Sequence, residues 1–101
     1  MFRVTIRGKF DGLDETGRAA VQAATDTAFT EAGTFTHDGT FSAFTFRCQV
    51  PEQSEDDDEK SATGRALAAL AGHGLPHQVL RVAVTDMRHI KIRRKGRKQA
   101  G

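Results

Sequence analysis

Four arginines stand at positions where alternation places their side chains on one face of a β-sheet. Arg3 and Arg7 are polar positions of an alternating stretch over residues 2–10, and Arg47 and Arg81 hold the same place in two later alternating stretches. Successive side chains of a strand point to opposite faces, so all four share the face away from the apolar rows. Guanidinium groups bind carboxylates and phosphates through paired hydrogen bonds. The sequence therefore predicts an anion-binding or partner-binding surface at these arginines, although long side chains that simply cover an exposed sheet explain the same pattern.

Two blocks of opposite charge stand out in a chain whose net charge is only +2. Residues 52–59 contain six Asp and Glu, and a basic tail contains six Lys and Arg, namely Lys91, Arg93, Arg94, Lys95, Arg97 and Lys98. The tail could hold nucleic-acid phosphates without sequence preference, could pair with the acidic block within the chain or across a dimer, or could be solvated. We expect residues 1–93 to form one domain and residues 94–101 to be a flexible basic tail.

The cysteine and the histidines do not form a recognisable catalytic or metal-binding set. Cys48 is the single cysteine and falls on an apolar strand face, where a thiol usually acts as a small hydrophobic group. His73 and His77 have the spacing of a helical ligand pair, but Gly74 and Pro76 lie between them and break a helix. Nucleophile-elbow, phosphate-loop and dinucleotide motifs are also missing. We predict no catalytic residues, no metal site and no cofactor.

The aromatic residues are seven Phe, with neither Trp nor Tyr. RNA-recognition sheets stack bases on aromatic side chains of their two central strands. The first strand here has Arg3 and Thr5 at the corresponding positions, and the third offers a single ring, Phe41. This composition argues against base recognition by the sheet, so nucleic acid is not an expected partner.

No apolar run of this sequence approaches the roughly 18 residues that a membrane span needs. A single cysteine cannot form an internal disulfide, which suits a reducing compartment. We expect a cytoplasmic protein without membrane contact.

The elements that must position these residues begin with the strand over residues 2–10. Residues 29–50 then predict a hairpin centred on Asp38–Gly39, a pair typical of a two-residue type I′ turn. With His37 opposite Thr40, the register leaves Phe41 on the open face of the sheet. The same register groups on the buried face Phe29, Phe35, Phe44, Phe46, Cys48 and Val50.

Two helices are predicted between and after these strands. The first follows Asp11 or Asp14 as N-cap and extends to about Asp26. The second follows Ser54 as N-cap and ends at Gly72 or Gly74. Its apolar stripe consists of Ala62, Ala66, Leu67 and Leu70.

The last predicted strand covers residues 79–85. Leu80, Val82 and Val84 alternate with polar positions there and are expected on the buried face. A short continuation is predicted through Ile90 and Ile92.

The resulting order is strand, helix, strand, strand, helix, strand. This order is typical of the ferredoxin-like α+β sandwich, in which two helices cover one face of a four-stranded antiparallel sheet. In a sheet of order 4-1-3-2 the first and third strands are central, which places the predicted arginines near the middle of the open face.

Three segments together resemble a known family. They are MFRVTIRGKFDGLDETGRAA, GTFTHDGTFSAFTFR and TDMRHIKIRR, and they are similar to small single-domain proteins of high-GC bacteria that are described only as a domain of unknown function. The resemblance covers nearly the whole chain and implies a single domain. It brings no catalytic residues with it.

The leading functional hypothesis is a non-catalytic binding or accessory protein that acts as a homodimer, with a small molecule or a protein as partner. A first alternative is a cofactor-independent small-molecule enzyme of the dimeric α/β-barrel type, working in secondary metabolism. This comparison rests on fold analogy, because two ferredoxin-like sheets pack face to face in such enzymes. A second alternative is non-specific nucleic-acid binding through the basic tail.

Overall fold

Residues 1–87 are described by the computed structural model, and they form a four-stranded antiparallel sheet with two helices. In chain order the elements are β1 (Phe2–Phe10), α1 (Glu15–Ala23), β2 (Thr34–His37), β3 (Ala43–Val50), α2 (Glu59–Gly72) and β4 (His77–Asp86). The strands lie in the order β2-β3-β1-β4. The predicted βαββαβ order and sheet order are therefore confirmed. The predicted basic tail and the continuation through Ile90 and Ile92 lie outside the described residues.

The core lies between the helices and one face of the sheet. Alternation in β1 buries Phe2, Val4, Ile6 and Phe10, as the sequence predicts. These large side chains join one apolar cluster with the small helix residues Ala62 and Ala66, together with Val21 and Leu70. Small helix residues allow the helical layer to approach the sheet closely. No helix within residues 1–87 has the length and apolarity needed to cross a membrane.

The two helices begin at aspartates. Asp14 caps α1 and its carboxylate accepts a hydrogen bond of 2.7 Å from the Gly17 N–H, which confirms one of the two predicted caps. The prediction of Ser54 as the cap of α2 is wrong, because Asp58 caps this helix in a reciprocal capping box with Ser61. The carboxylate of Asp57 accepts the Gln53 N–H at 2.6 Å and closes a turn ahead of the helix. Most of the acidic block therefore precedes α2.

The predicted hairpin register is wrong by four residues. His37 lies opposite Phe44, and Phe35 lies opposite Phe46. The strand does not extend back to Phe29, because Gly33 has a φ of +89° and its backbone lies so close to the Phe46 ring that a Cβ there would be 1.9 Å from it. An even shift keeps each paired residue on its face, so the predicted burial of Phe35, Phe44, Phe46, Cys48 and Val50 is confirmed.

Phe29 and Phe41 each lie on the side of the sheet opposite to the side that the sequence predicts. Phe29 is outside β2, and its ring lies beside the guanidinium of Arg3, which belongs to the open face. Phe41 lies in the loop before β3, has a φ of +56°, and stacks on the His37 ring with Arg18 of α1 nearby. Alternation holds only inside a strand, and both residues lie outside the strands.

The hairpin loop is organised by one carboxylate. Oδ1 of Asp38 accepts the Ser42 N–H at 2.8 Å and the Ala43 N–H at 3.3 Å. Its Oδ2 accepts the hydroxyls of Ser42 at 2.8 Å and Thr40 at 3.2 Å. These hydrogen bonds, with the Ser42 N–H first, lower the pKa of Asp38 from 3.8 to about 2. Hydrogen bonds to the charged form of a carboxylate favour that form.

The loop should therefore open only in strong acid. A lowered pKa means that Asp38 stabilises the folded state above pH 3.8 and that this contribution is lost as the pH falls through about 2. We expect an NMR titration of the Asp38 carboxyl carbon to give a midpoint near pH 2. Ser42→Ala should raise this midpoint, because it removes the hydroxyl and keeps the N–H. A wild-type midpoint near 3.8 would contradict the described network.

Candidate anion-binding face

The four predicted arginines lie on the open face of the sheet, away from the helices. In β1, Arg3 and Arg7 alternate with the buried residues. Arg47 in β3 lies opposite Thr5, and Arg81 in β4 lies directly opposite Arg7. The shared face that the sequence predicts is thus present, and the role of these residues as a binding surface remains a prediction.

Two of the four arginines have partners within the protein. Arg47 is half-buried and its Nη1 donates a hydrogen bond of 2.9 Å to the Thr36 hydroxyl. The guanidinium carbon of Arg3 lies 5.2 Å from the centre of the Phe29 ring, a cation–π distance. Both side chains are therefore held by the fold itself.

Arg7 and Arg81 form a different pair. Both are exposed, and neither makes an ion pair with an acidic residue among residues 1–87. They line an open cavity of about 330 Å³ together with Thr5 and Ala83. Like charges directly opposite each other on neighbouring strands repel and destabilise a sheet. An anion between the two guanidinium groups would remove this repulsion.

The surroundings of the pair are basic. Apart from the arginines, Lys9 is the charged strand residue on the open face, and the other strand residues there are neutral. The strands contribute no carboxylate to this face. Asp86 lies opposite Phe2 and so belongs to the other face. The strand residues around the pair therefore contribute only positive charge.

A second, shallower cavity shares Arg7 with the first. It has a volume of about 470 Å³ and extends across the sheet towards the β2–β3 hairpin. We call it the Leu80 groove. Its lining consists of Arg7, Gly8, Thr36, His37, Asp38, Ala43, Phe44, Thr45 and Leu80.

Leu80 lies in this groove because of an irregularity between β1 and β4. Arg7 pairs with Arg81, whereas the next residue, Gly8, pairs with Val79, so Leu80 is an extra residue in β4. The prediction that Leu80 faces the core is wrong: its side chain is 57% exposed. The bulge changes the phase of the strand, and Val79 takes the position opposite Gly8 instead.

Gly8 makes the bulge sterically possible. A Cβ on this residue would lie 2.3 Å from the Gln78 carbonyl oxygen and 2.7 Å from the Phe44 ring. Real side chains do not approach backbone this closely, so β4 can take its path only beside a glycine. The interruption of the apolar row at Gly8 is the sequence signal for this feature, since an isolated glycine in a strand often marks a bulge.

The remaining reactive residues are engaged in the fold. Cys48 is buried, and burial raises the pKa of its thiol, as expected of a structural cysteine. A ring nitrogen of His73 lies 2.9 Å from the Ala32 carbonyl oxygen, and one of His77 lies 2.7 Å from that of Leu75. Within residues 1–87, no group of three or more His, Cys, Asp or Glu is placed to hold a metal ion.

The acidic block makes local contacts. Asp57 forms an ion pair of 3.4 Å with Arg65 of α2, and Glu52 lies 2.5 Å from the amino group of Met1. The basic tail, with Lys91, Arg93, Arg94, Lys95, Arg97 and Lys98, lies outside the described residues. Pairing of the tail with the acidic block stays one of the alternatives that the sequence leaves open.

The arrangement of the strands and helices defines the general class of the fold. Four antiparallel strands in the order β2-β3-β1-β4, with both helices on one face, define a ferredoxin-like α+β sandwich. The chain belongs to the family of unknown function DUF6204, which matches residues 1–98. Comparison with curated proteins and with solved structures gives no match.

The steric role of Gly8 can be tested by a single methyl group. Gly8→Ala should lower the free energy of unfolding by about 2 kcal/mol, a typical cost of overpacking, because the nearest atom is backbone and β4 must shift. Urea denaturation measures this change.

Gly64→Ala is the matched control. A Cβ at Gly64 meets nothing within 4 Å, and the residue lies inside α2. Alanine should therefore stabilise the protein by about 0.5–1 kcal/mol. A neutral effect of Gly8→Ala would contradict the described β1–β4 pairing.

Proposed function

We propose that this domain is a non-catalytic binding protein that holds an anionic ligand between Arg7 and Arg81. The observation that carries the proposal is this pair of opposed, exposed guanidinium groups beside a cavity, on a sheet face to which the strands bring no carboxylate. A charge repulsion that the fold does not relieve by itself is typical of a functional site.

The chemistry of the cavity favours binding. The lining residues that belong to the described part of the chain provide two guanidinium forks and the hydroxyl of the half-buried Thr5, all of which can donate hydrogen bonds to oxygen atoms. Arginine forks match the oxygen atoms of carboxylates and phosphates with two parallel hydrogen bonds. Among residues 1–87, neither a carboxylate nor an imidazole lines this cavity to accept a proton from a ligand. The lining thus supports an accessory role without turnover.

The predicted homodimer is part of this proposal in a modified form. If two copies packed with their open faces together, Arg7 and Arg81 of one copy would lie against Arg7 and Arg81 of the other. Juxtaposed like charges disfavour such a contact, so we propose that a face-to-face dimer forms only with an anion between the copies. The dimeric α/β-barrel enzyme would use the same contact and stays a prediction.

A cytoplasmic location is also proposed. It is supported by the single cysteine, which the fold buries as a free thiol, because reducing compartments keep thiols unpaired.

Titration with inorganic phosphate tests the binding site. We expect wild-type protein to bind phosphate and Arg7→Gln or Arg81→Gln to weaken binding about tenfold each, since a hydrogen bond to a charged group contributes about 1.5–3 kcal/mol. Titration followed by NMR chemical shifts measures the dissociation constants of phosphate, and the method is suited to weak binding. Both variants should remain as stable as wild type, because each removes one of two repelling charges.

Two control variants, each of which also removes one positive charge, test whether the loss of phosphate affinity is specific to Arg7 and Arg81. Arg3→Gln removes a charge from the same strand and face, about 13 Å along the strand from Arg7, a distance beyond the roughly 8 Å Debye length. Lys60→Gln removes an exposed charge on α2, in the other layer. Neither should change phosphate affinity by more than about twofold. Equal losses in all four variants, or absence of phosphate binding, would contradict the proposal.

Light scattering after size-exclusion chromatography tests the dimer. We expect monomer in chloride buffer and dimer at millimolar phosphate, because only a bound anion compensates the opposed arginines. Arg81→Gln in phosphate should remain monomeric. A dimer that is independent of phosphate and unaffected by Arg81→Gln would show that the copies associate through another surface.

A further inference from the structure

The Leu80 groove adds an apolar surface to the anion site. Leu80 is 57% exposed and contributes to the same groove as Arg7, next to the small residues Gly8 and Ala43. The groove and the Arg7–Arg81 cavity share Arg7, so one ligand can contact both. An open apolar strip that leads to a pair of guanidinium groups fits an amphipathic anion.

The bulge indicates that the exposure of Leu80 is specified by the fold. Regular pairing would continue the alternation of β4 and turn Leu80 towards the core with Val82 and Val84. The extra residue instead leaves Leu80 at the open groove, at a site that requires glycine in the neighbouring strand. Bulges often redirect a side chain beside a functional site.

The charge of the pair favours phosphate over carboxylate. Arg7 and Arg81 together carry two positive charges, and the strands add no acidic side chain on this face. Asp38 of the hairpin loop also lines the groove, and its carboxylate accepts four hydrogen bonds from Thr40, Ser42 and Ala43. A phosphate monoester carries about −1.5 to −2 at pH 7, whereas a carboxylate carries one negative charge. The monoester therefore neutralises the pair more completely and offers three oxygen atoms to the two guanidinium groups.

We propose that the ligand is a soluble phosphate monoester with an apolar substituent. Its phosphoryl group lies between Arg7 and Arg81, and its substituent lies along the Leu80 groove against Leu80 and Ala43. This inference rests on the proposed anion-binding function and adds the class of ligand and the residue that selects it.

A series of probes separates the two parts of this proposal. Inorganic phosphate, methyl phosphate, butyl phosphate and hexyl phosphate are titrated into wild-type protein by NMR. Affinity should rise by up to about fourfold per methylene buried in the groove, so that hexyl phosphate binds at least about tenfold more tightly than methyl phosphate. If inorganic phosphate binds and the alkyl chain adds nothing, the apolar part is wrong and the proposed function stands. If hexyl phosphate binds equally well to Arg7→Gln and Arg81→Gln, the proposed function itself is wrong.

Variants of Leu80 test whether the alkyl chain of the ligand contacts this residue. Leu80→Ser should abolish the gain from the alkyl chain and leave inorganic phosphate binding unchanged, and Leu80→Met should restore most of the gain. Folding should be unaffected, since the side chain is largely exposed. An alkyl gain that persists in Leu80→Ser would place the chain elsewhere and overturn the inference.

Three further measurements test the ligand class on the same samples. Hexanoate should bind more weakly than hexyl phosphate, and equal affinity would overturn the assignment to phosphate. Vesicles that contain phosphatidic acid should not sediment the protein, and sedimentation without binding of the soluble esters would overturn the assignment to a soluble ligand. Light scattering should show the same oligomeric state for wild type and Leu80→Ser without ligand, and a difference would identify Leu80 as a contact between copies.

Discussion

The close approach of β4 to β1 at Gly8 is the constraint on which the open face depends. Because Gly8 has no Cβ, the Gln78 carbonyl oxygen and the Phe44 ring can occupy the space that a side chain would fill. The register then shifts by one residue between Arg7 and Gly8. On one side of this shift Arg7 lies opposite Arg81, and at the shift itself Leu80 is displaced to the open groove. A regular β1–β4 ladder would keep Arg7 opposite Arg81, but it would turn Leu80 towards the core and the groove would not form.

The sheet separates two kinds of surface. Its helix-covered face collects the large apolar side chains, with Phe2, Phe35 and Phe46 fully buried against the small residues of α2. Its open face collects cations and small polar residues. The buried face accounts for the stability of the fold, because apolar burial is the dominant favourable term in folding. Like charges directly opposite each other do not stabilise a sheet, and the proposed binding of an anion accounts for the arrangement of Arg7 and Arg81.

Much of the fold follows from local patterns in the sequence, and the errors have specific physical causes. Strict alternation in β1 gives its buried and open faces, and Asp14 and the Ala62, Ala66 and Leu70 stripe give the helices. The positions of Phe41 and Leu80 are set by a left-handed loop residue and a bulge, which depend on contacts with distant strands. Alternation along a single strand therefore does not predict the positions of Phe41 and Leu80.

The site was predictable only in part for the same reason. Strand phase places Arg3, Arg7, Arg47 and Arg81 on one face, but it does not distinguish among them. The distinction comes from tertiary contacts, namely the Thr36 hydroxyl at Arg47 and the Phe29 ring at Arg3. Arg7 and Arg81 make no such contact among residues 1–87, and together they line a cavity.

Binding of a phosphate ester between Arg7 and Arg81 is tested most directly by mapping where such an ester binds. Phenyl phosphate is titrated into ¹⁵N-labelled protein, and the shifts of backbone amides and arginine side chains are followed. A phosphoryl group between Arg7 and Arg81 should give the largest shifts at Thr5, Arg7, Leu80, Arg81 and Ala83, with intermolecular NOEs from the phenyl ring to the Leu80 methyl groups. Shifts centred on the helical layer, or none at all, would contradict this placement.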